Sequence, residues 1–154
     1  TIRALKMHGG IKKEDLGKEN VEAVKLGLSN LKRHVNNIKK FGLPIIVAIN
    51  HFVADTENEM KTLKEECNKI GIEAIPCLHW SKGGDGTIDL AKKVVELADQ
   101  ENTFKLLYKD KISLMDKIKT IVKEIYDGKD VVADKKILNQ LKQFENEGYG
   151  NFPR

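Results

Sequence analysis

A chain of 154 residues, 40% hydrophobic and 32% charged, is long enough and apolar enough for one globular domain with a sizeable core, which argues against intrinsic disorder. Its 27 basic and 23 acidic residues are interspersed and leave a net charge of only +4, so no block of like charge marks a nucleic-acid surface. No apolar run approaches the ~20 residues of a membrane span, and the first residues lack the layout of a signal peptide.

Thr1 to Met7 alternates apolar and basic residues and reads either as a frayed strand or as a short helix, broken by His8-Gly9-Gly10. The absence of an initial methionine, in a segment that looks like the end of something, suggests a fragment. Residues 11–19 read as a polar loop. Val21, Val24, Leu28, Leu31, Val35 and Ile38 recur at threes and fours and predict a helix. Lys39-Lys40 suit its C-terminal dipole and Gly42 its stop.

Leu43 to Ile49 is short, apolar and rich in β-branched residues. It predicts a strand buried on both faces of a parallel sheet, with Pro44 tolerated at its entry. The chain turns polar at Asn50. Thr56 and Glu59 have the spacing of a capping box, and Met60, Leu63, Cys67 and Ile70 give the helix they open its buried stripe. Gly71 ends it. A second strand, Ile72 to Cys77, is expected to run out into Leu78-His79-Trp80. A glycine-rich loop, Ser81 to Gly86, then leads to Thr87 as cap of a third helix bearing Ile88, Ala91, Val94, Val95 and Ala98. Helix, strand, helix, strand, helix in this order predicts an α/β fold built of βαβ units on a parallel sheet.

The texture changes after about Gln100. Phe104, Leu106, Leu107 and Tyr108 form an apolar knot, followed by a helix from Leu114 to Tyr126 stopped at Gly128. A last helix runs from Ala133 to Glu147 with Ile137, Leu141 and Phe144 on one side, and residues 148–153 close as a loop. The expected division is an α/β part over 1–103 and a helical appendage over 104–154.

In an open α/β sheet, ligands bind beyond the carboxyl ends of the strands, so Asn50–Thr56 and His79–Gly86 are the loops of interest. Parallel neighbours would bring Phe52 and Trp80 together, and two aromatics on adjacent loops can clamp a flat heterocycle. Either ring can instead plug the end of the core, the more frequent role for an aromatic such as Phe52. Asn50 and Asp55 have the groups to read the edge of a base, or to close an Asx-turn. Lys82-Gly83-Gly84-Asp85-Gly86 before a helix can offer N–H groups to an anion, or serve as a mobile turn. No segment has the Gly-x-x-x-x-Gly-Lys-Ser/Thr phosphate-loop pattern. His8, His34, His51 and His79 have no ligand spacing, and neither do Cys67 and Cys77, which read as free, half-buried thiols of a reducing compartment.

The chain resembles the formate–tetrahydrofolate ligases from end to end. The carrying stretches are residues 1–10 (Thr-Ile-Arg-Ala-Leu-Lys-Met-His-Gly-Gly), 15–20 (Asp-Leu-Gly-Lys-Glu-Asn), 30–34 (Asn-Leu-Lys-Arg-His) and 41–52 (Phe-Gly-Leu-Pro-Ile-Ile-Val-Ala-Ile-Asn-His-Phe). Asp-Thr-Glu at 55–57, Trp-Ser-Lys-Gly-Gly-Asp-Gly at 80–86, Lys-Glu-Ile-Tyr at 123–126 and Gly-Tyr-Gly-Asn-Phe-Pro at 148–153 complete them.

The resemblance implies a cytoplasmic enzyme, much longer than this chain, with a P-loop NTPase-like domain whose phosphate loop lies upstream. That enzyme activates formate with Mg-ATP as formyl phosphate and transfers the formyl group to N10 of tetrahydrofolate. It is typically a homotetramer stimulated by a monovalent cation, with no covalently bound cofactor and no nucleic-acid or membrane partner. By residue, the resemblance implies that Phe52 and Trp80 sandwich the folate ring, with adenine bound nearby. It puts Asn50, Asp55, Lys82, Gly83 and Gly84 in the surrounding loops, and a loop containing Lys6, His8, Gly9 and Gly10 on the nucleotide side. No catalytic residue and no metal ligand is expected within the segment, which is expected to be inactive alone. The competing readings are a non-catalytic nucleotide- or pterin-binding module and an interdomain structural piece.

Overall fold

A computed structural model describes residues 1–152 as two compact units, one spanning Thr1–Thr103 and one beginning at Phe104. The first residues are helical: α1 covers Ile2–His8, and the Thr1 hydroxyl accepts the Ala4 N–H as its cap. Ile2 and Leu5 face inward at helical spacing, which decides helix over strand. After a 3₁₀ turn at Lys13–Asp15, helix α2 runs over Val21–Lys39, capped by the Asn20 side chain. It buries Val24, Leu28 and Val35. The two helices touch at backbone level, since a Cβ on Gly27 would run into the Leu5 carbonyl.

Strand β1 is shorter than expected, covering Val47–Asn50, with Leu43–Ile46 irregular and Pro44 outside it. It is not buried on both faces. Val47 and Ile49 point into the core while Ala48 and Asn50 are exposed, because the sheet has helices against one side of this strand only among the described residues. Helix α3, Glu57–Lys69, opens with the expected capping box of Thr56 and Glu59. Strand β2, Ala74–Cys77, pairs parallel with β1 in the register Val47↔Ala74 to Asn50↔Cys77, so the expected parallel βαβ unit is present. Pro76 is tolerated because β1 bonds to the Glu73 and Cys77 carbonyls, which turns position 76 away from the partner strand. The core comprises Ile2, Leu5, Val24, Leu28, Ile49, Leu63, Cys67 and Ala74.

The stretch after β2 is not a loop. His79–Lys82 forms a helical turn, α4, and Gly83–Thr87 a 3₁₀ turn leading into α5, Ile88–Ala98. Thr87 precedes α5 as expected, but its hydroxyl donates to the Gly84 carbonyl instead of capping the helix. The apolar positions Ile88, Val94 and Val95 of α5 are exposed.

The second unit contains α6, Leu114–Glu124, and α7, Lys135–Asn146, capped by Ser113 and Asp134. Phe104 and Leu106 are exposed, so the expected apolar knot is not closed over them. The left-handed residue after α6 is Asp127, not Gly128. Lys117 is fully buried, donating to the carbonyls of Gly150 and Phe152 at 2.7 and 2.8 Å and lying 6.0 Å from the centre of the Tyr108 ring. A 3₁₀ turn at Tyr149–Asn151 follows, while Pro153 of the expected closing loop lies outside the described residues. None of the described helices is long and apolar enough to cross a membrane.

Candidate functional site

Because Asn50 and Cys77 are register partners, the segments after β1 and β2 leave the sheet at the same edge. The His51 N–H extends the ladder by one bond to the Cys77 carbonyl. One residue further, the Phe52 backbone is closed onto Asp55 twice. Its N–H donates to Asp55 Oδ2 at 2.9 Å, and its carbonyl accepts the Asp55 N–H at 2.9 Å. This reciprocal pair closes a four-residue turn with Val53 and Ala54 at its tip and Phe52 fixed at its base, directly after the ladder. Asp55 is thereby buried, and its second oxygen, Oδ1, has no partner.

Trp80 is held from the other strand. The Leu78 carbonyl accepts from the Ser81 and Lys82 N–H groups, and the Leu78 N–H donates to the Gly86 carbonyl at 2.9 Å. A Cβ on Gly86 would run into the Leu78 carbonyl, so only glycine lets the turn return this closely. The result is a Trp80 residue 73% exposed, its ring centre 6.4 Å from that of Phe52 and its plane tilted 42° to it. Trp80 is therefore not a core plug, and Phe52 is half-buried. Beside the pair, His51, Asp55, Met60, Lys64, Pro76 and Leu78 line a groove of about 480 Å³.

The remaining candidates separate. Asn50 is exposed at the strand end, and Lys82, Gly83 and Gly84 are exposed on the turn after Trp80. Lys6 and His8 belong to a helix and not to a loop. Lys6 is fully buried, with its ammonium 2.9 Å from Glu59 Oε1 and donating to the Lys18 carbonyl at 3.1 Å. His8 Nε2 lies 3.2 Å from Asn30 Nδ2, Gly9 packs on the Ala23 backbone, and Gly10 takes a left-handed turn. Cys67 and Cys77 are fully buried, not half-buried, and burial pushes the Cys67 thiol up.

Glu59 was legible as a capping residue but not as the centre of a buried network. It accepts the Asn20 N–H on Oε1 and the Thr56 N–H on Oε2. Burial, the largest single influence, pushes its carboxyl up. The hydrogen bonds from Asn20, Lys6 and Thr56 together outweigh it and leave the carboxyl below its ordinary value. The available signal was spacing, since Glu59 falls on the stripe of Leu63 and Cys67 and Lys6 on that of Ile2 and Leu5.

The sequence profile of the formate–tetrahydrofolate ligases matches residues 1–154. The chain belongs to this family. A formate–tetrahydrofolate ligase of Pelagibacter ubique is 60% identical over 154 residues, covering 99% of this chain and 28% of the relative. The ligases of Sinorhizobium fredii and Rhizobium meliloti are 51% and 50% identical over the same shares. The chain thus spans about 28% of the length of these curated relatives.

Within this member of the family, the stretches that carry the resemblance divide by location. Residues 50–57 and 80–86 meet at the sheet edge. Residues 1–10 and 15–20 meet around Glu59, immediately behind it.

Proposed function

We propose that the chain is part of an ATP-dependent ligase that joins formate to tetrahydrofolate, and that its share of the work is to hold a flat ring between Phe52 and Trp80. What supports the reading is the aromatic pair at the carboxyl edge of two parallel strands, with Trp80 largely open to solvent. A ring seated between two faces needs about 7 Å, twice an ordinary carbon contact. The pair therefore has to open slightly and flatten when it is filled.

Asp55 Oδ1, buried and without a partner, offers an acceptor to an N–H on the edge of such a ring. Asn50 supplies a second edge contact, and Lys82, Gly83 and Gly84 shape the rim. In the complete reaction a formate oxygen attacks the γ-phosphorus of ATP, releasing ADP. N10 of tetrahydrofolate then attacks the formyl carbon of formyl phosphate, and phosphate leaves. This segment contributes positioning to the second step and no acid or base. We assign residues 1–103 to the C-terminal part of a P-loop NTPase-like domain and residues from 104 onward to a helical appendage.

Following the family resemblance, we assign Mg²⁺ and the activating monovalent cation to the remainder of the longer enzyme, which we take to be a cytoplasmic homotetramer.

Two measurements test this. The 154-residue chain alone should give no formate- and ATP-dependent formylation of tetrahydrofolate. In the full-length protein Trp80→Ala should weaken tetrahydrofolate binding about five- to a hundredfold, the range of one aromatic stacking contact, with ATP binding unchanged. A loss confined to ATP would transfer the clamp to adenine, and no loss for either would reject it.

A further inference from the structure

Lys6 and Glu59 are both fully buried and 2.9 Å apart, on α1 and α3, which are far separated in the chain. Glu59 is met by three donors. The Lys6 ammonium and the Asn20 N–H converge on Oε1, and the Thr56 N–H reaches Oε2 at 3.2 Å. Only an ionised carboxylate can accept all three, because a protonated one would aim an O–H at another donor. The Lys6 ammonium is what makes a buried anion tolerable at this point.

From Glu59 the connection to the site is short. Thr56 follows Asp55 directly, and Asp55 closes the Phe52 turn through its Oδ2. A second tie runs beside the first. The Thr56 hydroxyl donates to the Glu19 carboxylate, which also accepts from Asn58 Nδ2, and Lys6 holds the Lys18 carbonyl at 3.1 Å. Residues 18–20 and α1 are thereby clasped to the start of α3, the point at which the Phe52 turn is anchored.

We infer that Lys6 and Glu59 are positioning residues that fix Phe52 for the ring it stacks on, acting through Thr56 and Asp55 and touching no substrate themselves. The inference rests on the clamp proposed above. It accounts for the family stretches at 1–10 and 15–20 by what they hold, without any contact to a nucleotide.

The test uses the full-length protein, assayed well below its melting temperature. Lys6→Met should raise the KM for tetrahydrofolate at least fivefold, while the KM values for ATP and formate change less than twofold. Glu59→Asp keeps the charge but is one methylene too short to reach Lys6 and Thr56 together, and should shift the same KM in the same direction. It also serves if Lys6→Met does not fold. The Lys6→Met/Glu59→Asp double variant should be no worse than the more damaging single one, because both act on one connection. Leu28→Ala, in the same core but with no bond to residues 52–59, controls for stability. It should lower the melting temperature and leave the tetrahydrofolate KM unchanged.

If the Lys6 and Glu59 variants only melt earlier, with KM values like those of Leu28→Ala, the pair is structural and the inference is overturned. Phe52→Ala separates the two claims. An unchanged tetrahydrofolate KM in that variant sinks the clamp itself. A raised KM in Phe52→Ala with none in Lys6→Met or Glu59→Asp sinks only the positioning role.

Discussion

The Phe52 and Trp80 ring centres lie 6.4 Å apart because Asn50 and Cys77 end two parallel strands in register. Each ring is then carried outward by a short turn closed on its own backbone, Phe52 onto Asp55 and Trp80 through Leu78 and Gly86. Each turn is closed by hydrogen bonds within its own segment. This is the condition for a preorganised binding contact.

Trp80 is the sole tryptophan of these 154 residues and is largely exposed, so in the full-length protein the part of the emission that is lost in Trp80→Phe reports on this site. In the full-length protein, adding a folate analogue should shift its emission to the blue as the indole leaves water. Phe52→Ala should reduce the response, since the second face is lost. An unaltered spectrum at saturating ligand would count against stacking.

Glu59 should leave a mark on acid stability. Its carboxyl is held below its ordinary value of 4.5 in the folded state, so its contribution is fully present above about pH 4.5. That contribution is lost as the pH falls through the depressed folded value. Melting temperatures measured from pH 6 downward, over a range of roughly three units, should fall more steeply for the native protein than for Glu59→Gln, which has no proton to take up. Parallel curves would refute the assignment.

Gly27→Ala should destabilise by about 1–3 kcal/mol, the usual range for overpacking, because its methyl group meets the Leu5 carbonyl and α1 has to move off α2. Denaturant unfolding measures this. Since α1 carries Lys6, the same variant should also weaken tetrahydrofolate binding.

Lys117→Met should leave the Gly150 and Phe152 carbonyls without their donor, at a cost of about 1–3 kcal/mol for buried unsatisfied groups. Hydrogen exchange should then quicken around residues 149–152 and stay unchanged at α2. Uniform change across both units would contradict a local role.

Thiol labelling gives a further check. Cys67 and Cys77 are buried, and burial pushes the Cys67 thiol up, so neither should react with a thiol reagent at neutral pH until the protein unfolds. Rapid native labelling of either would exclude the packing described.

Helix α3 and its capping box were readable in advance because both rest on neighbours three and four residues apart. The parallel pairing of β1 and β2, and with it the meeting of Phe52 and Trp80, followed from element order alone. The helical turn at Trp80 was not readable. It depends on Leu78 being bonded by Gly86, a closure that glycine-rich composition equally permits to stay open. Leu43–Ile49 buries less than its apolar run allows for a related reason. An apolar run states what a strand can bury, and only the neighbouring layers decide what it does bury.

By itself, the sequence determined family membership, the capping box of α3, the glycine stops at Gly42 and Gly71, and the two segments that bear aromatic rings. All of these are set by residue identity at short spacing. Tertiary structure alone decided that Lys6 is a buried partner of Glu59 and not a loop cation, and that Asp55 spends one oxygen on Phe52 and leaves the other unpartnered. The physical reason is that the worth of a charge depends on its surroundings. A lysine on a helix stripe is a surface residue or a buried ion according to whether a carboxylate from a distant helix arrives to meet it.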